Sequence, residues 1–311
     1  MRTQQTFDMA KRLGRIPLRE RTRELERIYY GVQREIAQQL SSVDMGDYRE
    51  LKAMKVQERI NSLIRKLNRS AIRWAKGSIP EAYKESYGIS KTRLEILGKE
   101  KSGRFDLQRH KYAVMDYIDM TTNDLIRANM SIKNNVNTYL YLARQASMGL
   151  SQIQAFSYED EEAINELIQD AIEAGERPGY ATKLIRQYFQ AKIGDGQFIL
   201  INGRNYNLKY YARLVARTRM RKVQTQAIKN TCEQYENDLV FWEHHAGACD
   251  LCIPFMGQVY SLTGKNPNYP LLTEEPPIHP NCGCGISATS EEAIAIERPL
   301  MGTPAHEGEY A

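Results

Sequence analysis

Four of the five cysteines of this chain lie close together near its C-terminus, in the spacing of metal ligands. Cys249 and Cys252 form a Cys-x-x-Cys pair. After twenty-six intervening residues, His279 and Cys282 form a His-x-x-Cys pair, and Cys284 follows. Each two-residue spacer lets a tight turn present two side chains to one ion. Two such turns complete the tetrahedral Cys/His set that Zn²⁺ prefers. The pattern predicts a zinc site that uses four of these five side chains.

The choice among the five candidates stays open at the level of sequence. The favoured set is the two x-x pairs, and the alternative is an all-cysteine set in which Cys284 replaces His279. His245 is an outside candidate. A closed set of four ligands leaves no position for a substrate, so the zinc is expected to be structural. The gap between the pairs exceeds the roughly 12–15 residues of DNA-reading zinc fingers, which indicates a different kind of module.

Catalytic interpretations find less support. A redox-active Cys-x-x-Cys would need a helix directly after it, where this chain has Ile253-Pro254. A His-Asn-His-type nuclease would need its three residues spread over a hairpin and a helix, but Asn281 lies inside the second metal-ligand pair. No Gly-rich phosphate loop, Ser/His/Asp set or pair of carboxylates stands out. The sequence therefore predicts a protein that is not an enzyme.

The first 150 residues predict long helices. Apolar residues recur at helical spacing in two stretches, Leu25, Ile28, Tyr29, Val32, Ile36 and Leu40, then Ile60, Leu63, Ile64, Leu67, Ala71 and Trp74. Residues 111–147 predict one long helix, in which Ile118, Leu125, Ile132 and Tyr139 recur every seven residues. Its second seam is polar (Thr122, Asn129), which favours a packed bundle over a two-stranded coiled coil. Shorter helices are predicted over about 157–172 and 180–192.

The sequence pattern changes from helical to mixed after residue 193. Residues 198–201 and 204–207 flank Asn202-Gly203 and predict a β-hairpin with a type I′ turn, followed by a helix over about 208–235. Residues 241–290 contain eleven Pro and Gly residues, which predicts that this segment has no helices or strands. It also has too few apolar residues for a core of its own, so it is expected to need a metal in order to fold. The predicted fold class is mainly α: an extended helical region over 1–192, then a small α+β module over 193–290 with hairpin, long helix and loop-rich zinc knuckle. A flexible tail is predicted over 291–311.

Charge is distributed unevenly along the chain. Residues 1–110 carry 25 Lys and Arg against 14 Asp and Glu, whereas the remainder carries 18 against 24. This asymmetry is compatible either with a solvated basic surface or with contact to an anionic partner such as DNA or an acidic protein. The candidate contact residues lie on two helices: Arg65, Arg69, Arg73 and Lys76, then Arg213, Arg217 and Arg221. On the second helix, solvation or local pairing is favoured over partner contact. No apolar run or N-terminal signal suggests a membrane protein or a secreted one.

The stretch from residue 202 to 286 resembles a known family, the minor head proteins of tailed phages (the Mu F-like head morphogenesis and minor capsid group). The matching motifs are Asn202-Gly203-Arg204, Tyr210-Tyr211, Val215-Ala216-Arg217-Thr218, Trp242, His245, Ala248-Cys249-Asp250-Leu251-Cys252, Gly257-Gln258-Val259-Tyr260 and His279-Pro280-Asn281-Cys282-Gly283-Cys284. Two positions depart from the family pattern. Arg219 stands where a Glu is common, and Gly283 stands where an Arg is common. Neither is a candidate ligand, so the zinc prediction is unaffected, whereas a polar network joining Arg217 to a Glu is not expected.

The resemblance implies a low-copy structural component of the phage virion. Such a protein is expected to associate with the portal protein, and with scaffold or major capsid protein, during head assembly and DNA packaging or exit. It would be made in the host cytoplasm and lie in the head interior or at the portal vertex, in possible non-specific contact with DNA and with no membrane. The alternative is a zinc-binding DNA-binding protein or a His-Asn-His-like nuclease.

Overall fold

The computed structural model describes residues 18–41, 50–102, 107–147, 197–201, 204–244, 247–280 and 282–297, with isolated residues between 163 and 191. The helices are α1 (Arg19–Ser41), α2 (Glu50–Ile96), α3 (Gln108–Ser147), α4 (Leu208–Gln234) and α5 (Glu291–Glu297). The strands are β1 (Gln197–Ile201), β2 (Arg204–Asn207), β3 (Leu239–Trp242), β4 (Val259–Ser261) and β5 (Ile286–Ala288). The predicted mainly helical fold class is confirmed. No described helix is long and apolar enough to cross a membrane.

The long helices form where apolar side chains recur with a 3.6-residue period. On α1, Leu25, Tyr29 and Ile36 are fully buried, and on α2 the six predicted core positions from Ile60 to Trp74 are all buried. Burying one face of each helix against its neighbours provides the stability that isolated helices lack in water. The predicted helix over 111–147 is also confirmed, as α3.

Packing divides the described residues into two units. The bundle unit consists of Arg21–Trp74 and Thr122–Arg213, and the knuckle unit consists mainly of Ala75–Thr121 and Leu214–Ala311. Helices α2, α3 and α4 each contribute residues to both. The predicted domain boundaries at residues 192 and 290 rest on changes in the composition of the sequence and stay a prediction. The predicted helices over 157–172 and 180–192 lie largely outside the described residues. Of the tail predicted over 291–311, residues Glu291–Glu297 form α5, in which Ala293 and Ile294 are buried, and residues 298–311 lie outside the described part of the chain.

A polar layer crosses the bundle unit at the predicted polar seam of α3. Asn129 is fully buried; its Oδ1 accepts a hydrogen bond from Tyr29 Oη at 2.9 Å, and its Nδ2 donates to Asn68 Oδ1 at 2.7 Å. The two bonds join α1, α3 and α2. A buried amide that is satisfied on both sides favours one helix register over others, because any shift would leave polar atoms without partners.

The β-hairpin and the helix after it lie where the sequence predicts them. Strands β1 and β2 are antiparallel, and the pairing of Ile201 with Arg204 leaves two residues for the turn, whose type lies outside the described residues. Asn207 then caps α4: its Oδ1 accepts hydrogen bonds from the backbone N–H of Lys209 at 2.9 Å and of Tyr210 at 3.3 Å. A side-chain acceptor at this position satisfies N–H groups that have no partner within the helix.

The expectation of no regular elements over 241–290 is wrong. Strand β3 pairs antiparallel with β4 on one side and with β5 on the other, giving the order β4-β3-β5. Trp242 of β3 is fully buried and stacks on Phe255 at 5.0 Å between ring centroids. The core around it also takes in Leu94 of α2 and Cys232 of α4. The small sheet therefore obtains from the helices the apolar surface that its own segment lacks.

Candidate metal centre

Two tight turns present the candidate ligands. In the first, the backbone N–H of Cys252 donates to Cys249 O at 2.8 Å, and a 3₁₀ helix (Ile253–Phe255) follows directly. In the second, the N–H of Cys282 donates to His279 O at 3.2 Å. Each hydrogen bond joins residue i+3 to residue i and so closes a four-residue turn, as the two-residue spacers predict.

Cys252 Sγ lies close to the ligand atoms of the other three side chains of these turns. Cys252 Sγ lies 3.7 Å from Cys249 Sγ, 3.5 Å from Cys282 Sγ and 3.5 Å from His279 Nε2, and Cys249 Sγ lies 3.0 Å from the same nitrogen. Zn–S bonds of about 2.3 Å and Zn–N bonds of about 2.0 Å give tetrahedral edges of about 3.8 Å between two sulfurs and about 3.5 Å between sulfur and nitrogen. Three of these four separations lie within about 0.3 Å of a tetrahedral edge, and the Cys249–His279 separation is shorter. Cys282 is not in one group of mutually close ligand atoms with Cys249 and His279.

Cys284 lies beside this group. Two overlapping clusters could hold a metal, Cys249 with Cys252 and His279, and Cys252 with Cys282 and Cys284. Cys252 is common to both. The backbone N–H of Cys284 donates to Cys282 Sγ at 3.4 Å, a hydrogen bond that stabilises a thiolate whether or not Cys284 is itself a ligand.

The second ring nitrogen of His279 is held by the backbone. His279 Nδ1 lies 2.9 Å from Pro280 O, so it carries the proton and donates to that carbonyl. This bond fixes the tautomer and leaves Nε2, which faces the two sulfurs, as a lone-pair donor. Metal-bound histidines have this arrangement almost without exception.

The thiols lie in surroundings that resist negative charge. Cys252, Cys282 and Cys284 are each buried to within 2% of complete, whereas Cys249 is exposed. Burial raises the pKa of the Cys252 thiol far above its usual range, as do the neighbouring thiols, and burial also raises the pKa of Cys284. Thiolates at this place therefore need a bound cation to offset their charge, which is what a divalent metal supplies.

A glycine closes the first knuckle. Gly257 has a φ of +74°, and a Cβ added there would lie 2.6 Å from His244 Nε2. The His244 side chain therefore lies over Gly257, and among the described residues it belongs to neither of the clusters that could hold a metal. His245 and Asn281 lie outside the described residues, so neither the outside ligand candidate nor the histidine and asparagine of the nuclease alternative can be placed.

Asp238, which the sequence analysis does not single out, fixes the start of the sheet. Its carboxylate accepts hydrogen bonds from the hydroxyl of Ser261, from the backbone N–H of Thr263 at 2.9 Å and from the Thr263 hydroxyl at 2.7 Å. Partial burial raises the pKa of this carboxyl, but the hydrogen bonds outweigh burial and hold it below its usual value. The polar run Ser261-Leu262-Thr263-Gly264 after β4 is the sequence signal that could have suggested an acceptor nearby.

The predicted contact residues fall into two groups. Arg65, Arg69, Arg73 and Lys76 are all exposed on α2, and within the described chain none of them forms an ion pair. On α4, by contrast, Arg213 pairs with the Glu26 carboxylate and Arg221 Nη1 donates to Gln224 Oε1 at 2.8 Å. Arg217 is half-buried. The structure therefore gives local partners to two of the three α4 arginines and leaves the α2 group facing solvent.

Comparison with known proteins finds one family model that matches part of the chain. Residues 185–285 match the family model described as phage minor capsid protein 2, over 101 of the 311 residues. The match takes in the hairpin, α4 and all five candidate ligands. No curated protein and no solved structure matched the chain. The resemblance to phage minor capsid proteins is thus confirmed for residues 185–285, which match a family of structural phage head proteins.

Proposed function

We propose that this chain is a minor head protein, present at a few copies per phage particle and associated with the portal during head assembly and DNA packaging or exit. The observation that supports the proposal is the match of residues 185–285 to minor capsid proteins, in the region that contains the candidate metal ligands. The role is structural and needs no catalytic residue.

Mass spectrometry of purified phage heads tests this function. After removal of soluble host protein, we expect the chain at a few copies alongside the portal protein, in precursor heads or in mature ones. Its absence from both kinds of head would refute the proposal and would favour a zinc-binding DNA-binding protein.

We also propose that the metal is one structural Zn²⁺, held by Cys249, Cys252, His279 and Cys282. The short separations from Cys252 Sγ to Cys249 Sγ, to Cys282 Sγ and to His279 Nε2 support the set, and a closed set supports a structural role. The ion would join the segment after β3 to the segment before β5. Elemental analysis of the purified chain is expected to give one zinc per molecule. Cys252→Ser should lose the ion, whereas Cys232→Ser, a substitution at a buried cysteine of α4 outside both clusters, should retain it.

A basic face of α2 supports contact with DNA. Between Glu58 and Glu81 the helix has no acidic residue, and the exposed side chains of Arg65, Arg69, Arg73 and Lys76 recur at spacings of four, four and three. These spacings keep them within about a quarter turn of one another, over about 16 Å of helix. A row of cations without acidic neighbours is the footprint expected for phosphate contacts that carry no sequence information.

The salt dependence of DNA binding tests this face. Duplex DNA should bind without sequence preference, and replacing the four residues by Gln should reduce the slope of log K against log salt by about 3–4, which is about 0.9 for each phosphate that is no longer neutralised. The control replaces four exposed lysines that lie outside α2, Lys101, Lys111, Lys222 and Lys265. An unchanged slope in the α2 variant, or an equal reduction in the control, would exclude the α2 face as the DNA-binding surface.

A further inference from the structure

The start of helix α3 is held by few apolar contacts. None of residues 108–120 is buried, and Tyr112 and Met120 are 59% and 43% exposed. In the turns that follow, buried side chains recur at helical spacing, at Thr121, Leu125, Ala128, Ile132 and Val136. The ion pair between Arg109 and Glu233 of α4 lies at the surface, where such pairs contribute little to stability. A helix segment that buries so little apolar surface opens locally at a low free energy.

One side chain of this segment, His110, contacts the neighbouring helices. Its Nδ1 lies 2.7 Å from Oη of Tyr83 on α2, and its ring meets the rings of Tyr83 and Tyr87 edge-on, with centroids 5.7 and 4.8 Å away. The same Oη accepts a hydrogen bond from Asn230 Nδ2 of α4 at 2.7 Å. All four residues lie in the knuckle unit. His110 therefore connects the start of α3 to α2 directly, and to α4 through the Tyr83 hydroxyl.

The hydrogen bonds of Tyr83 fix the protonation state of His110. Asn230 donates to the Tyr83 oxygen, and its own Oδ1 accepts from Gln226 Nε2 at 2.8 Å, which orients the amide. The phenol has one hydrogen to donate, and among the described residues His110 Nδ1 is the one acceptor that it contacts. Nδ1 is therefore an acceptor, and the ring is neutral with its proton on Nε2.

Protonation of His110 would disrupt this arrangement. Nδ1 would then carry a hydrogen that faces the Tyr83 hydroxyl, and the hydroxyl hydrogen would have to turn away from its acceptor. Tyr83 is only 4% exposed, so that hydrogen would be buried without a partner, which is unfavourable.

The surroundings of the ring favour its neutral form. Burial lowers the pKa of His110, the hydrogen bond with Gln234 opposes this effect, and the positive charge of Lys101 lowers the pKa further. Other ionisable groups near the ring are the two tyrosines on α2, and Arg109 on α3, whose charge is offset by that of Glu233 on α4. The folded state therefore holds His110 neutral at a pH at which an exposed histidine is already charged.

We propose that protonation of His110 releases residues 108–120 of α3 from α2 and α4, so that the start of this helix is a pH-sensitive conformational switch. The turns of α3 that follow have buried side chains and stay packed. The released segment forms one wall of a cleft of about 820 Å³, whose other walls are α4 and the segment after β4, so its release would open this cleft. The switch goes beyond the proposed function and stands whether or not the chain is a head protein.

Histidine titration followed by NMR tests the first step. The zinc-loaded full chain carries ¹³C-labelled histidine, and the His110 signal is the one that His110→Asn lacks or, if that variant does not fold, the one with nuclear Overhauser contacts to tyrosine rings. We expect His110 to titrate below the usual histidine pKa of about 6.5. Tyr83→Phe keeps the aromatic ring and removes the hydroxyl, so it should raise the pKa of His110 towards that value. A His110 signal that titrates at or above about 6.5 in the unmodified chain would overturn the proposal.

Hydrogen exchange measured by mass spectrometry tests the release itself. Since the folded-state pKa is lowered, the stability that His110 contributes is complete above the pKa of the released state and is lost as the pH falls towards the folded-state pKa. Between about pH 7.5 and pH 5.5, with exchange times corrected for the intrinsic effect of pH, the amides of residues 108–120 should therefore exchange faster. The increase should reach up to about tenfold for each unit of pKa difference, and residues 208–234 of α4 should keep their rate.

Two variants decide whether His110 carries the response. His110→Asn places an oxygen near the position of Nδ1, so it keeps an acceptor for Tyr83 but cannot be protonated, and it should lose the pH response. His244→Asn removes an exposed histidine and should retain the response. Three results would each overturn the proposal: an equal response in His110→Asn, exchange over residues 108–120 that does not depend on pH, or an equal rise over the whole of α4, which would indicate an acid-sensitive step elsewhere.

Discussion

Replacing Cys284 and His279 separately with alanine distinguishes the two possible ligand sets. On the proposed set Cys284 is not a ligand, so Cys284→Ala should retain the zinc. It should still lower the free energy of unfolding by about 1–2 kcal/mol, because the buried sulfur leaves a small cavity. The hydrogen bond to Cys282 Sγ comes from the backbone of residue 284 and survives the substitution. His279→Ala removes a ligand and should weaken zinc binding by more than the roughly 10–100-fold that follows loss of an outer-shell partner.

Zinc affinity and stability are measured separately in this comparison. Competition with a chromophoric chelator gives the affinity of each variant, and thermal unfolding in excess zinc and in chelator gives its stability. We expect His279→Ala to lose zinc affinity but to lose little stability in chelator, since the ring is half-exposed. We expect Cys284→Ala to keep its zinc affinity but to lose stability in both conditions. A Cys284→Ala protein that loses its zinc, beside a His279→Ala protein that keeps it, would establish the all-cysteine set and refute the argument from tetrahedral edges.

Three further substitutions test the packing. Gly257→Ala should lower the free energy of unfolding by about 1–2 kcal/mol, because φ is +74° at this position and the new Cβ meets His244. As a control, Gly88→Ala within α2 should raise it by about 0.5–1 kcal/mol, because a Cβ added there meets no other atom. Chemical denaturation measures both changes. Asn129→Ala should cost about 2–4 kcal/mol, because Tyr29 and Asn68 lose their partner, and the exposed neighbour Met130→Ala should change stability by less than about 0.5 kcal/mol. Asp238→Asn should lower stability at neutral pH by about 1–2 kcal/mol. The pKa of Asp238 is lowered in the folded state, so its contribution to stability is present above the unfolded-state pKa and is lost as pH falls through the folded-state pKa. The unfolding free energies of Asp238→Asn and of the parent chain should therefore converge in acid. Parallel curves of unfolding free energy against pH would refute this role of Asp238.

The helices were predictable because their pattern repeats over many turns. Buried residues at Leu25, Tyr29 and Ile36 on α1 follow a 3.6-residue period over three turns, which few other structures produce. The Asn202-Gly203 dipeptide between two β-rich runs predicted the hairpin for a similarly local reason. The metal-ligand pairs were predictable because a two-residue spacer constrains both side chains to one side of a turn, whatever the rest of the chain does.

The strands of the knuckle unit were not predictable in this way. Strand β3 reads Leu-Val-Phe-Trp without alternation, because both its edges are paired and three of its four residues are buried. Strands β4 and β5 have three residues each, which is too short for a period of two to emerge from a background of Gly and Pro.

The topology of the sheet explains why the two ligand pairs are so far apart. Strand β3 is the central strand of the sheet. After β3 the chain makes the Cys249 turn and returns along one side of β3 as β4. It must then cross to the other side of β3 before it enters β5. The register pairs Trp242 at the end of β3 with Ile286 at the start of β5, so both ligand turns lie beyond the same end of that strand pair. A spacer of a dozen residues, as in a DNA-reading finger, could not contain β4 and the crossing. The long gap is thus the length that the chain needs to place a third strand between the two candidate ligand pairs. Trp242, Cys252 and Cys284 belong to one buried cluster, so an ion held by the proposed ligands would stabilise the core of the sheet directly.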